Sequence, residues 1–185
     1  MENVSWVDAV TFCNKLSEKE GLKPCYSYKE SANAAQWDLY NDEMSEWSET
    51  RWERSFENFV CNTMANGYRL PTVEEWQYAA EGGQEFKYSG SDNLDEVGWY
   101  DDNSGNKTHP VAQKSPNGYG LYDMSGNVWE WCWDSDPGGS KSRYLCGGGW
   151  SSNAYYCEVG YEFWIIAYGT YDDLGFRVVR SSSKK

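Results

Sequence analysis

Between Gly147-Gly148-Gly149-Trp150 and Leu174-Gly175-Phe176-Arg177 lies a segment, Ser151–Asp173, whose composition limits what this chain can fold into. It carries Tyr155, Tyr156, Tyr161, Phe163, Trp164, Ile165, Ile166, Tyr168 and Tyr171, yet no Lys or Arg. Exposed loops favour small polar and charged residues, and buried strands alternate or run apolar for only about four to eight positions. A mixture of Tyr with Ser, Gly, Asn and Asp is the chemistry of binding surfaces, where Tyr supplies rigid amphipathic area and small polar residues supply adaptable hydrogen bonds. The competing reading is an irregular core loop filled with rings.

The chain has 185 residues, enough for one domain with a substantial core. We place that domain at 1–180, with a ligand-binding region at about 144–173 and 181–185 as a disordered tail. A net charge of −13 repels phosphate backbones and anionic membrane surfaces, and no basic patch interleaves with the aromatics, so nucleic acid is excluded as a partner. The longest apolar run, Phe163–Tyr168, falls far short of the roughly 20 residues of a membrane helix. Met1-Glu2-Asn3-Val4-Ser5-Trp6 is neither basic nor followed by an apolar stretch, so no export signal is visible. Cys13, Cys25, Cys61, Cys132, Cys146 and Cys157 include no C-x-x-C pair, and His109 is the only histidine, so zinc-finger spacings are missing. The cysteines' pairing state stays open.

Local signals predict two helices. Ser5 with Asp8 resembles a capping box, Val10 and Cys13 follow at helical spacing, and Gly21 ends a helix over Trp6–Glu20. Thr72 with Glu75 forms a second box, Trp76, Ala79 and Ala80 a buried stripe, and Gly82-Gly83 a stop. Tyr28–Ala65 is acidic and Trp-rich, with Trp37, Trp47 and Trp52 spread across it, and reads as loops with a short hairpin. Gly90–Gly120 reads as connected turns. Strands are expected at Val128–Trp133 and Gly175–Arg180, with Phe176 and Val178 on one face and Arg177 and Val179 on the other. Eleven Trp residues imply large rings filling the space between irregular segments.

Four segments in order carry a family resemblance: Asn3-Val4-Ser5-Trp6, Gly67-Tyr68-Arg69-Leu70-Pro71-Thr72-Val73-Glu74-Glu75-Trp76, Asn117 to Trp131 (NGYGLYDMSGNVWEW), and the Gly-Gly-Gly-Trp to Leu-Gly-Phe-Arg bracket. Together they resemble the formylglycine-generating-enzyme type of C-type lectin fold. The resemblance implies an α+β, C-type lectin-like domain with few helices, short strands and much irregular structure. Family domains usually carry a further strand and helix ahead of the Asn-Val-Ser-Trp element, and the final strand normally pairs with that early one, so the sheet is expected to lack this partner here. Oxidising members hold copper(I) with two cysteines, and the matching positions here read Ser152 and Cys157. One thiolate is missing. Iron-using members need several histidines, and the calcium-and-sugar motifs of classical lectins do not occur. We therefore expect no enzyme activity and no cofactor.

Within this fold class the terminal segment resembles the variable proteins of diversity-generating retroelements, in which templated Asn codons are scrambled at their adenines. Ser151, Ser152, Asn153, Tyr155, Tyr156, Tyr161, Phe163, Trp164, Ile165, Ile166, Tyr168, Gly169, Tyr171, Asp172 and Asp173 fall where the resemblance places such codons. Scrambling the two adenines of AAC yields every one of these types except Trp. Lys, Gln and Met, which it cannot yield, are missing from the segment. Glu158, Glu162, Ala167 and Thr170 depart from the pattern. These fifteen positions are the expected ligand-binding residues, the ligand a macromolecule of protein type, and the location the cell surface or exterior.

Other candidates weigh less. Glu130, between Trp129 and Trp131, reads as a structural acid paired with Arg177 or Arg69 rather than a catalytic one. Asp101-Asp102-Asn103 with Gly105-Asn106, and Asp123 with Asn127, are oxygen-rich turns that calcium accepts, although Asx turns explain them as well. Two alternatives to a binding protein stay open: an oxidase using Cys157 with a partner such as Cys146, and an accessory domain whose aromatic patch packs on another subunit.

Overall fold

Two capping boxes start the two long helices. The Ser5 hydroxyl accepts from the Asp8 amide (3.2 Å), the Asp8 carboxylate accepts from the Ser5 amide (2.9 Å), and helix α1 runs Trp6–Lys19. Thr72 and Glu75 repeat the arrangement at helix α2, Val73–Glu81, which Gly82 ends in the left-handed region at φ 62°. Glu75 also pairs with Arg69, whose guanidinium holds its carboxyl below the usual carboxylate range. A computed structural model describes residues 2–37, 58–137 and 141–181. Trp47, Trp52 and the end of the chain at 182–185 lie outside the described residues.

The strands are short. β1 (Tyr26–Tyr28) pairs antiparallel with β2 (Phe59–Cys61), two strands about thirty residues apart in sequence rather than a short hairpin within the Trp-rich region, whose middle, 38–57, lies outside the described residues. A short helix, α3 (Leu94–Val97), interrupts the turns that follow α2. The main sheet has four strands in the order β6-β5-β4-β7: β4 (Trp129–Ser135), β5 (Ser142–Cys146), β6 (Glu162–Ile166) and β7 (Leu174–Phe176). β4–β5 and β5–β6 are antiparallel, while β4–β7 is parallel. The predicted strand Gly175–Arg180 is in fact two. Leu174–Phe176 joins the main sheet, and β8 (Val179–Arg180) pairs instead with β3 (Tyr68–Arg69). The break falls where Arg177 leaves the sheet direction to reach Glu130. Phe176 and Val178 still pack on the same core, as the alternation implied. The final strand thus has its partner in Tyr68-Arg69.

Tryptophans join these pieces. Trp6 and Trp131, both fully buried, pack with Tyr26, Phe59, Leu70, Leu145 and Leu174 in the larger core. The Trp6 indole lies 5.4 Å from Phe59 and 5.1 Å from Trp133. The three fully buried indoles have found acceptors, as the polar edge of Trp favours: Trp6 donates to the Cys132 carbonyl (3.0 Å), Trp131 to the Val4 carbonyl (2.9 Å), and Trp76 to Glu130 (2.7 Å). The first and third bonds bind the helices to β4, and the second holds the turn before α1 against it.

At Glu130 the packing converges. Its carboxylate, 5% exposed, accepts from Trp76 on α2 and from Nε and Nη2 of Arg177 at 2.9 Å each, while the same guanidinium donates to the Tyr122 carbonyl at 3.0 Å. Removing one partner of a buried pair strands the other charge, at a cost of about 3–5 kcal/mol. Arg177→Ala should therefore lose about that much stability in urea unfolding. Thr72→Ala, which removes only a cap, should lose about 0.5–2 kcal/mol. Trp131→Ala, which empties a buried ring site, should lose about 3–5 kcal/mol.

Candidate functional site

The aromatic segment begins where three glycines let side chains press against main chain. Gly147 and Gly148 have φ of 94° and 72°, which L side chains rarely adopt. A Cβ on Gly148 would also lie 2.6 Å from the Cys157 sulfur. The turn is then tied to itself: the Gly149 amide donates to the Ser152 hydroxyl (3.0 Å), and the Ser152 amide to the Gly149 carbonyl (3.0 Å). Asn153 caps a 3₁₀ turn, Ala154–Cys157, by accepting from the Tyr155 amide. Chain then runs into β6, a strand hydrogen-bonded on one side only, to β5.

Main-chain bonds to the scaffold recur along the whole segment. The Asp101 amide donates to the Ser152 carbonyl (3.0 Å), the Ser125 hydroxyl to the Cys157 carbonyl (2.8 Å), and the Val159 amide to the Lys87 carbonyl (3.0 Å). Trp6 donates to the Ala167 carbonyl (3.0 Å), Asn3 to that of Tyr171 (3.1 Å), and Trp129 to that of Asp173 (2.7 Å). None of these bonds uses a side chain of the segment. The path of the backbone is therefore set by partners that do not change when exposed side chains do.

Those side chains form one continuous run of rings. Tyr155, Tyr156 and Tyr161 meet pairwise with centroids 5.0–5.7 Å apart. Trp129 stands 6.4, 6.2 and 6.1 Å from Tyr156, Tyr161 and Phe163. Phe163 is 6.2 Å from Trp164, and Trp164 lies opposite Tyr144 in the strand register with rings 6.0 Å apart. Tyr155 is 60% exposed, Trp164 47% and Phe163 44%. Such a contiguous exposed aromatic surface marks an interaction site in most folded proteins.

The fifteen expected residues divide. Ser151, Asn153, Tyr155, Tyr156, Phe163, Trp164, Tyr168, Tyr171 and Asp172 are exposed; Tyr161, Ile166, Gly169 and Asp173 are half-buried. Ser152 departs from the expectation. It is buried, and its hydroxyl closes the turn at Gly149. Ile165 departs too: it is half-buried and packs against the larger core. Asp173 accepts from the Ser151 hydroxyl (2.6 Å), and the Trp150 indole donates to the Asp172 carbonyl (3.2 Å), so this corner is held together internally. Among the described residues, Tyr171 makes no ring contact with the main run. Two further residues adjoin this surface: Trp129, expected in the strand Val128–Trp133, and Asp101, read as part of an oxygen-rich turn. Both line a cavity of about 400 Å³ together with Tyr156, Tyr161 and Phe163. No signal in the sequence links Asp101 to a segment fifty residues away.

Over residues 1–182 the chain matches the Sulfatase-modifying factor enzyme 1-like domain. It belongs to that family. A relative from Paenibacillus barcinonensis named Chaperone protein LppX is 42% identical across 98% of this chain and 69% of its own length. A formylglycine-generating enzyme of Streptomyces coelicolor is 35% identical over 50% of the chain, which spans only 39% of that enzyme's length. The mouse relative named inactive C-alpha-formylglycine-generating enzyme 2 is 32% identical over 64% of the chain and 44% of its own length. Among solved structures, Treponema denticola variable protein 1 superposes with a TM-score of 0.80 at 37% identity, covering 96% of this chain and 69% of that one. The C-type lectin-like architecture and the likeness to a retroelement variable protein thus both hold.

In this sulfatase-modifying-factor-like chain the donor set does not fit a two-thiolate copper(I) site. Ser152 offers a hydroxyl already engaged by Gly149, and Cys157 is fully buried beneath the 3₁₀ turn. Nor does Cys146 reach towards Cys157: its sulfur lies 3.8 Å from that of Cys132 on the neighbouring strand, in the core under α2, whereas Cys157 packs with Tyr88, Leu94 and Val97. The oxygen-rich turns are closed in part by internal bonds, while among the described residues the Asp101 carboxylate and Asp123 Oδ1 accept none. Asn127 accepts from the His109 amide, Asn103 from that of Tyr100 and Asp123 from that of Ala112, and Asn106, Asp123 and Asn127 all have positive φ. His109 itself stacks on Trp99 at 3.8 Å.

Burial pushes the Cys157 thiol up to about 12, reinforced by the Asp101 carboxylate nearby, and burial pushes Cys61 to about 12 as well. A thiol whose folded pKa exceeds its unfolded value near 9.0 ionises first in the unfolded chain. The contribution of these two thiols should then be constant below pH 8, and stability should fall progressively from about pH 9 towards 12. In the same way, Cys157 should resist iodoacetamide at pH 8 while folded and react once the chain is unfolded, as peptide mass mapping would show.

Proposed function

We propose that this protein is a non-catalytic binding protein that presents the run from Tyr155 to Trp164 to polypeptide ligands, outside the cell or at its surface. The observation that carries this reading is the division of labour in the segment: main-chain bonds to Asn3, Trp6, Lys87, Asp101 and Trp129 fix its path, and the large rings are left to face outward. Surface side chains away from caps and core usually change stability by no more than about 0.5 kcal/mol when replaced. A surface built in this way can be altered residue by residue without loss of the fold. That is the requirement a retroelement variable protein places on its scaffold, and it supports reading Ser151, Asn153, Tyr155, Tyr156, Tyr161, Phe163, Trp164, Tyr168, Tyr171 and Asp172 as ligand-facing positions.

Two features of the relatives point the same way. The Treponema variable protein shares the fold over nearly the whole chain, and the Paenibacillus relative is named a chaperone, a role that also requires polypeptide binding. An oxidase remains the weaker reading because Ser152 and the sealed Cys157 stand at the copper positions. Among the described residues no helix is long and apolar enough to cross a membrane.

Replacing Tyr155, Trp164 and Tyr168 together by Ser should leave the melting temperature within a few degrees of the parent. Binding should collapse, because aromatic anchors contribute about 2 kcal/mol or more each when truncated. Parent and variant would be compared against a panel of purified secreted proteins and in suppressing the aggregation of a chemically denatured protein. Loss in the first assay alone identifies a folded ligand, and loss in the second a non-native one. A melting temperature that drops steeply with the rings removed would return the segment to the core. A near-copy of its coding repeat beside a reverse transcriptase gene would establish the source of its diversity.

A further inference from the structure

The cavity at the centre of the aromatic run has a chemistry more specific than a greasy surface. Trp129, Tyr156, Tyr161 and Phe163 supply ring walls, and the Trp129 plane is inclined 43–54° to the other three at centroid separations of 6.1–6.4 Å. These three rings are tilted against Trp129 rather than stacked on it, and Tyr156 meets Tyr161 edge-to-face at 5.0 Å. The rest of the lining is Ser151, Ser152, Asn153 and its one charged residue, Asp101. Its amide is anchored to the Ser152 carbonyl, and among the described residues its carboxylate has no hydrogen bond or ion pair. No Lys or Arg lies in Ser151–Asp173, and Lys87, the cation that reaches the segment, is held by Glu158 at 3.1 Å. The volume, about 400 Å³, lies near the lower end of the roughly 300–1,000 Å³ range of ligand pockets and suits one side chain.

We propose that this cavity is an aromatic cage for a cationic side chain, a lysine or arginine of the polypeptide ligand, with Asp101 as its counter-ion. The assignment rests on the binding role proposed above and specifies the residue that the ligand inserts. Ring quadrupoles attract a cation lying within about 6 Å of their centroids. The carboxylate selects the same charge, and the chain's net −13 draws basic partners towards it. A neutral side chain would gain the apolar contact alone and leave Asp101 uncompensated. Because Trp129 and Asp101 lie outside the bracketed segment, the cage would combine two fixed walls with three variable ones, so a basic anchor could be retained while the surrounding specificity changes.

The test uses four small probes on the whole chain: the N-acetyl amides of lysine and arginine, and those of norleucine and citrulline as their neutral counterparts. Shifts of the Trp129 indole N–H and the Phe163 ring signals are followed by NMR. Cationic probes should shift both saturably, bind about fivefold or more tightly than their neutral counterparts, and weaken with added salt. Asp101→Asn should remove most of that preference, and Phe163→Ser, at an exposed position, should abolish the shifts without changing the melting temperature. Equal binding of neutral and cationic probes at these signals would overturn the cage and leave the aromatic surface as a binding site. Failure of every probe to move them would also overturn the cage, and the triple Ser variant described above would then decide separately whether the wider surface binds ligand.

Discussion

The buried carboxylate of Glu130 holds this structure together. Arg177 grips it with two nitrogens, Trp76 donates to it from α2, and the same guanidinium reaches the main chain at Tyr122, so one charged cluster ties a helix, the central strand, the turn before it and the exit from β7. An ion pair so placed gives modest net stability compared with apolar packing, but it is severe when half-made. It therefore fixes which strand ends meet. The strand that carries Glu130 also carries Trp129 on the cavity and Trp131 in the core, so the same three residues set the floor of the binding surface and the centre of the fold.

From that centre the logic of the terminal segment follows. A protein can vary a surface only if something other than the surface holds its shape, and here the holding is done by amides and carbonyls. The triple glycine lets Trp76 and Cys157 press against the chain at its start, Leu174 and Phe176 pin its end into the sheet beside β4, and scaffold bonds recur in between. The burial that lifts the Cys157 thiol also seats its sulfur against Gly148, where a Cβ would meet it.

Elements governed by local rules were legible in the sequence. Ser5 and Thr72 announce their helices because a cap is a contact between residues three apart, and the boundaries agree to within a residue at α1. Glu130 could be assigned a structural role, though its choice of Arg177 over Arg69 depended on a tertiary contact. Strands within the terminal segment were not legible. Glu162-Phe163-Trp164-Ile165-Ile166 shows no alternation because an edge strand that presents rings for binding lacks a wholly polar face. The split between Phe176 and Val179 was hidden in the same way, since two strands of different sheets joined by Arg177-Val178 look like one apolar alternation. Ser152 shares its residue type with exposed Ser151 and differs only in facing Gly149.

The central claim is that the scaffold, rather than the exposed rings, defines the path of Ser151–Asp173. Amide hydrogen exchange on the Tyr155, Trp164 and Tyr168 triple Ser variant measures this directly, residue by residue. The account predicts unchanged protection at Trp6, Trp129, Ser152, Val159, Ala167 and Leu174, whose amides bind main-chain carbonyls. Protection lost across those positions while the rest of the core stays protected would show that the rings hold the segment in place, and the claim would fail.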